Sequence, residues 1–352
     1  MGVPLVHGAA DITPDWLTAA LETATNGAVV EGVEASPIGT GQVATTLHLA
    51  LTFASGQGPS TLVAKVPSDA EASRVAAAMV RTYEIEAAFF NELAKSLEGR
   101  IPTSLHAHHD LESGAYCVLL EEVANAKAGD QMVGLSIEEA AAAIDEMALI
   151  HASRWNDASL AELPWLARSS PEGIAGTAGI IEAVQPGFAE AFADRLDTEV
   201  LELVGRLGGR HEAIMLDRPG PHTVAHGDFR ADNLLLGAGR VAVLDWQTVT
   251  LGPGWSDLSY FIGGSLNTAT RRTAERELVE RYVAGLEAKG VSLGIDEPFT
   301  EYRRYAFSGL VMAIAASQLV AKTERGDEMF ATMANRHGRQ ALDHDSESLI
   351  RA

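Results

Sequence analysis

His226-Gly227-Asp228-Phe229-Arg230-Ala231-Asp232-Asn233-Leu234-Leu235-Leu236, followed closely by Val241-Ala242-Val243-Leu244-Asp245-Trp246, decides how the rest of the chain is read. Gly237-Ala238-Gly239-Arg240 reads as a four-residue turn between two apolar strands, which makes an antiparallel hairpin. In that register Leu236 faces Val241, Leu234 faces Val243 and Asn233 faces Leu244. Asn233 and Asp245 then emerge at the same open end, roughly 5–8 Å apart by the usual cross-strand spacing. That separation suits two oxygen ligands on one hard cation, with phosphates of a bound nucleotide supplying further oxygens. Asp228 lies on the loop entering the hairpin, where it can accept a proton from a hydroxyl. A lone carboxylate beside an apolar hairpin is ordinarily a turn residue. Here three oxygen-bearing side chains converge, and Gly227 permits an unusual backbone beside Asp228, so the stretch reads as a site.

Outward from this stretch, the N-terminal third is β-rich. Val29 to Ser36, Thr45 to Phe53 and Thr61 to Val66 read as strands, with Gly39-Thr40-Gly41 as a tight turn. A helix is expected from about Ala70 to Leu97, and Ile101 to Val123 reads as two strands around the turn Asp110 to Gly114. After Val123 helices dominate: Ser136 to Ser153, Phe188 to Leu207, Ala269 to Lys289 and Pro298 to Glu324. Asn233 to Trp246 is the one clear β interruption. The expected fold is therefore α+β and two-lobed, with a β-rich N-lobe at 1–122 and a mostly helical C-lobe at 123–352.

Bulk properties narrow the function. With 352 residues, 47% hydrophobic and 21% charged, the chain can bury a substantial core. A formal net charge of −22 argues against electrostatic binding to nucleic acid. It also means that an anionic ligand needs local cations to hold it. The single cysteine, Cys117, sits in an apolar run and reads as a buried structural thiol. No signal peptide is evident, and the most apolar later stretch, Leu310 to Ala321, is too short to span a bilayer. A cytoplasmic location with no membrane partner follows; nothing in the sequence sets the oligomeric state.

The His-Gly-Asp at 226–228, the Asn five residues after that Asp, and the Asp-Trp at 245–246 resemble the catalytic segment of the aminoglycoside phosphotransferase and choline kinase-like superfamily. Those kinases are relatives of the protein kinases. Gln247, Gly252-Pro253 and Asp257-Leu258-Ser259-Tyr260 resemble its ecdysteroid kinase-like branch, and the similarity covers nearly the whole chain. The resemblance implies a protein-kinase-like fold, ATP and Mg²⁺ as cofactors, Asp228 as catalytic base, and Asn233 and Asp245 as magnesium ligands. It further implies that Lys65, a charge ending an apolar strand, holds the α- and β-phosphates, with Glu86 orienting it. Gly39 and Gly41 would cover the phosphates, although taken alone the stretch is more simply a plain hairpin turn. The Glu121 carbonyl and Val123 amide would meet adenine. Arg230 stands where protein kinases place a lysine facing the γ-phosphate; otherwise it is a carboxylate-paired arginine. His226 and Asp257 would brace the loop.

Only eleven residues separate Asp245 from Asp257, which leaves no room for a long activation segment, and no Ala-Pro-Glu motif follows. A small hydroxylated acceptor is therefore expected in place of a protein. The alternatives are a catalytically silent nucleotide-binding sensor and a metallohydrolase, the latter leaving Lys65 and Glu86 unexplained. Acidic C-lobe residues would favour an aminoglycoside, whereas Phe307, Leu310 and Met312 on one helix could line an apolar acceptor site or simply pack the core. His106-Ala107-His108-His109-Asp110 reads as a solvated hairpin turn, and His151 and Trp155 as packing residues.

Overall fold

The alternation of apolar residues between Val29 and Val66 builds the larger sheet. The computed structural model describes residues 2–39, 43–166, 170–237, 240–295, 297–319 and 323–350. Two compact units divide the chain: Met1–Ala126 with Ala242–Val249, and Lys127–Val241 with Thr250–Ala352.

In the first unit, strands β1 (Val29–Pro37), β2 (Ala44–Ser55), β3 (Thr61–Pro67), β4 (Ser104–His109) and β5 (Tyr116–Glu121) form one sheet in the order β1-β2-β3-β5-β4. Neighbouring strands are antiparallel. Leu62, Ala64 and Val66 point to one face, where they bury with Leu47, Leu49, Cys117 and Leu119 against Trp16, Leu17 and Leu21. Period-two geometry sends Lys65 to the opposite face. The five strands fall where the sequence puts them.

The single helix expected over 70–97 is instead broken. Helices run over Glu71–Met79 and Thr82–Ala88, followed by a π turn at Phe89–Leu93. Arg81 makes the break in the left-handed region, at φ 59°. Burial explains it. The first piece buries only Ala77, while the second buries Thr82, Tyr83, Ile85, Glu86 and Ala87, so one straight helix would not serve both.

The second unit is mostly helical. Ser136 caps the helix Ile137–Ser153 through a full capping box with Glu139. The expected helix 188–207 is two helices, Pro171–Ala191 and Thr198–Leu207. The expected helix 298–324 divides into Pro298–Arg304 and Ser308–Leu319. Helices Gly254–Ser265 and Glu324–Asp343 have no counterpart in the sequence reading. A second β element was missed too: His222–Ala225 pairs antiparallel with Thr250–Pro253. The core of this unit gathers Phe188, Phe192, Leu203, Phe307, Leu310 and Phe330. Phe307 and Leu310 are thus packing residues, whereas Met312 is exposed. Among the described residues, no helix is long and apolar enough to cross a membrane.

Candidate active site

The strand His222–Ala225 delivers the chain to His226, and the loop beyond it is held from below by one carboxylate. Asp257, in the first turn of the helix Gly254–Ser265, accepts the amide of His226 at 2.5 Å and that of Gly227 at 3.0 Å. His151 Nε2 lies 3.3 Å from the same carboxylate, and His151 Nδ1 lies 2.8 Å from the Tyr282 hydroxyl. Burial works to raise the Asp257 pKa, but His151, His226 and the Gly227 amide outweigh it and hold the carboxyl low. Gly227 takes φ 81°, a conformation open to glycine at little cost. The Asp228 amide then donates to His226 Nδ1 at 3.2 Å. His226 and Asp257 therefore brace the loop.

Three donors fix the Asp228 carboxylate. Tyr260 Oη donates to Oδ1 at 2.9 Å; Arg230 Nε and Asn233 Nδ2 donate to Oδ2 at 3.1 and 2.9 Å. Asn233 Nδ2 also reaches the Asp228 carbonyl at 2.8 Å. Burial, reinforced by the Asp228 charge, pushes the Tyr260 phenol well up, so it stays protonated and donates. Burial works against the Arg230 charge, yet Asp228, with Tyr260 and Asp232, raises its pKa. Arg230 lies 3.1 Å from Asp228 and 3.3 Å from Asp232. Gly129 packs directly on the backbone of Ala231, where a Cβ would collide with the carbonyl oxygen.

The first unit assembles a second cluster. Lys65 Nζ, on β3, lies 2.7 Å from Glu86 Oε1 and 2.8 Å from Asp245 Oδ1. Glu86, not Glu84, is the partner, as the helix spacing predicts. The Tyr116 hydroxyl donates to Glu86 Oε2, and the Tyr116 ring stacks on Tyr83 at 4.4 Å. Burial works to lower the Lys65 pKa, but Asp245 and Glu86 outweigh it and hold the ammonium charged. Asp245 sits at φ 62° and heads a short turn at Trp246–Thr248. Trp246, fully buried, anchors that turn by stacking on Phe89 at 4.2 Å.

The sequence-predicted residues therefore fall into two sets: Lys65, Glu86 and Asp245 in one unit, Asp228, Arg230 and Asn233 in the other. Gly39 has φ 72°, while Thr40 and Gly41 lie outside the described residues. Glu121 closes β5 and pairs with Arg100 at 3.3 Å; Val123 follows it half-buried. Sequence reasoning missed Tyr260 and Tyr116. Tyr260 had a signal, since it lies three residues after Asp257 on one helix face. The histidines of 106–109 lie in β4 and not in a turn; His106 packs edge-on against Trp16 at 5.5 Å.

Asn233, in one unit, and Asp245, in the other, each carry oxygen chemistry that suits a hard cation. Both hydrogen bonds of Asn233 leave through its amide nitrogen, so its carbonyl oxygen remains an acceptor. Asp245 offers carboxylate oxygens. Among the described residues, no group of three or more His, Cys, Asp or Glu could hold a metal unaided.

Residues 47–307 match the family model described as the phosphotransferase enzyme family, and the chain belongs to that family. No protein of curated function matches. Among solved structures, choline kinase from Cryptosporidium parvum is 10% identical, covers 90% of each chain and superposes with a TM-score of 0.54. Ethanolamine kinase from Plasmodium vivax is likewise 10% identical, with coverage of 90% and 82% and a TM-score of 0.51. The ADP-bound aminoglycoside phosphotransferase APH(2'')-Ib is 14% identical, with coverage of 89% and 95% and a TM-score of 0.50. The fold is that of the protein-kinase-like phosphotransferases.

Proposed function

We propose that the chain is an ATP- and Mg²⁺-dependent O-phosphotransferase acting on a hydroxyl of a small molecule. The observation that carries this reading is the Asp228 carboxylate, oriented by Tyr260, Arg230 and Asn233 on a loop braced by Asp257. In the reaction the acceptor oxygen attacks the γ-phosphorus and its proton passes to Asp228, while the bond to the β-bridging oxygen breaks and ADP leaves. Lys65, kept charged by Glu86, would bind the α- and β-phosphates, with Gly39 and Gly41 over them and the Glu121 carbonyl and Val123 amide at adenine. Asn233 and Asp245 would hold magnesium, which neutralises phosphate charge when bound. In this reading residues 1–122 serve the nucleotide, and 123–352 carry the catalytic loop and the acceptor site. Every position of the set has the side chain it needs, so the reading is catalysis and not silent nucleotide sensing.

A panel of hydroxylated compounds, scored for compound-dependent ADP release and for the phosphorylated product by mass, tests the proposal. Asp228→Asn should lower turnover by about 10²–10⁴-fold while nucleotide binding persists. Undiminished turnover in that variant would remove Asp228 from the mechanism.

A further inference from the structure

The helix Glu324–Asp343 presents Met329, Thr332, Met333, Arg336 and His337 along one face, at the three-and-four spacing of a helix stripe. Four of them line a small open-mouthed cavity of about 10 Å³, room for one water-sized group, and Gln131, Arg230 and Tyr260 line it from other elements. Arg230 and Tyr260 are also two of the donors that hold the Asp228 carboxylate. Whatever occupies this cavity sits beside the proposed base.

Most of the polar groups left over in its wall are donors, with His337 Nε2 the unpartnered acceptor among them. Arg336 gives three hydrogen bonds to backbone carbonyls: Nη1 to Gln131 and to Gly264 at 2.8 Å, and Nη2 to Met132 at 3.1 Å. A guanidinium has five N–H groups, so two of them have no partner among the described residues. Arg230 spends Nε on Asp228 and Nη1 on Gln131, Asp232 and Met329, which leaves Nη2. Gln131 turns its oxygen to Arg230 at 3.0 Å, which leaves its amide NH₂. No carboxylate lines the cavity. Asp228 and Asp232 already balance Arg230, whereas no carboxylate among the described residues forms an ion pair with Arg336. Burial works against the Arg336 charge and lowers its pKa, with Asp130 the acidic group that favours it. In a chain of net charge −22, a half-buried arginine with no carboxylate partner among the described residues, beside a second arginine, is a local exception.

We propose that this cavity seats one oxygen of an anionic group of the acceptor, a carboxylate or its equivalent held at its open mouth, through Arg336, Arg230 and the Gln131 amide. The substrate class is then a hydroxylated acid and not a polycation. The assignment of the anion to the acceptor rests on reading Asp228 as the base. The phosphates of ATP are the other source of such an anion, and the test separates the two.

Glycerate, glyceramide and 3-amino-1,2-propanediol share vicinal hydroxyls and differ in charge, so calorimetry with each reads the cavity directly, without turnover. Glycerate should bind at least about tenfold more tightly than the amide, the amine most weakly, and Arg336→Met should erase the order. Because Arg336 also caps three carbonyls, Thr332→Asp provides a second variant; Thr332 is half-buried with no side-chain hydrogen bond among the described residues, and the new carboxylate should abolish glycerate binding. Undetectable glycerate binding, equal affinities, or a preference for the amine would overturn the proposal. So would Arg336→Met weakening ATP binding while sparing glycerate, which would assign the cavity to nucleotide phosphate. Absence of phosphoryl transfer would sink the kinase reading alone, since these affinities do not depend on it.

Discussion

His337 lies in the wall of the acceptor cavity and should make stability fall as the solution is acidified through the histidine range. The ring is fully buried and stacks on Tyr260 at 5.4 Å, directly behind the donor to Asp228. A Cβ at Gly263 would come within 2.6 Å of its Nδ1, and one at Gly309 would collide with the ring, so the pocket has no slack. Nδ1 lies 3.2 Å from Gln340 Oε1, which makes Nδ1 the protonated nitrogen, and Nε2 has no partner. A second proton would therefore enter at a buried atom with nothing to receive its charge. Burial, with Arg336 and Arg271 nearby and only Gln340 opposing, lowers the pKa to about 3. The sign follows directly. Below the ordinary value of 6.5 the unfolded chain takes up a proton that the folded chain refuses, so stability is full above 6.5 and falls as pH drops toward about 3. At about pH 5, roughly 1.5 units below the unfolded value, the cost is about 2 kcal/mol. Urea unfolding of the natural protein and of His337→Gln, at about pH 7.5 and pH 5, isolates this cost, because the other titrating groups cancel in the difference. The natural protein should lose about 2 kcal/mol more than the variant. Equal losses would show that His337 does not carry the folded-state proton deficit.

Other perturbations report on the two clusters. Glu86→Gln removes one of the two carboxylates flanking Lys65 while keeping an acceptor for Tyr116; it should cost about 1–3 kcal/mol in stability and weaken nucleotide affinity more than acceptor affinity, by calorimetry. Asp257→Asn replaces the shared acceptor beneath the His226 and Gly227 amides, and should lower kcat by at least about tenfold with nucleotide affinity unchanged. The Asp257 contribution to stability is present above the ordinary carboxylate pKa of about 4 and lost as pH falls through its depressed folded value, below the onset of the His337 effect. Gly129→Ala drives a methyl into the Ala231 carbonyl and should cost about 1–3 kcal/mol or more by thermal unfolding, with loss of activity from the displaced loop.

Much of this molecule was legible because its decisive features are local in sequence. Strand alternation placed all five strands of the larger sheet, and the helical register picked Glu86 over Glu84 for Lys65. Helix lengths were read less well. Apolar periodicity runs on across Arg81 and across residues 192–197, while the breaks come from changes in what each segment buries. The strand pair His222–Ala225 and Thr250–Pro253 was invisible because its partners are short and separated by the whole catalytic segment.

The helix Glu324–Asp343 shows a deeper reason for the division between what sequence revealed and what it hid. Phosphoryl transfer needs a base, a metal pair and a phosphate cation at set intervals, and such intervals survive as a motif. Recognition of an acceptor needs only complementary groups in one cavity, and any element can supply them. Here they come from Gln131 at the start of one unit, Arg230 in its middle and Arg336 near its end, two hundred and five residues apart at the extremes. Arg336 looks like any other charged residue of an amphipathic helix until its guanidinium is found capping Gln131, Met132 and Gly264. Its partial desolvation is what marks it, because a half-buried cation with only carbonyls for partners gains from a fold that needs it or a ligand that completes it. The charge preference of the three-carbon probes decides between those two reasons.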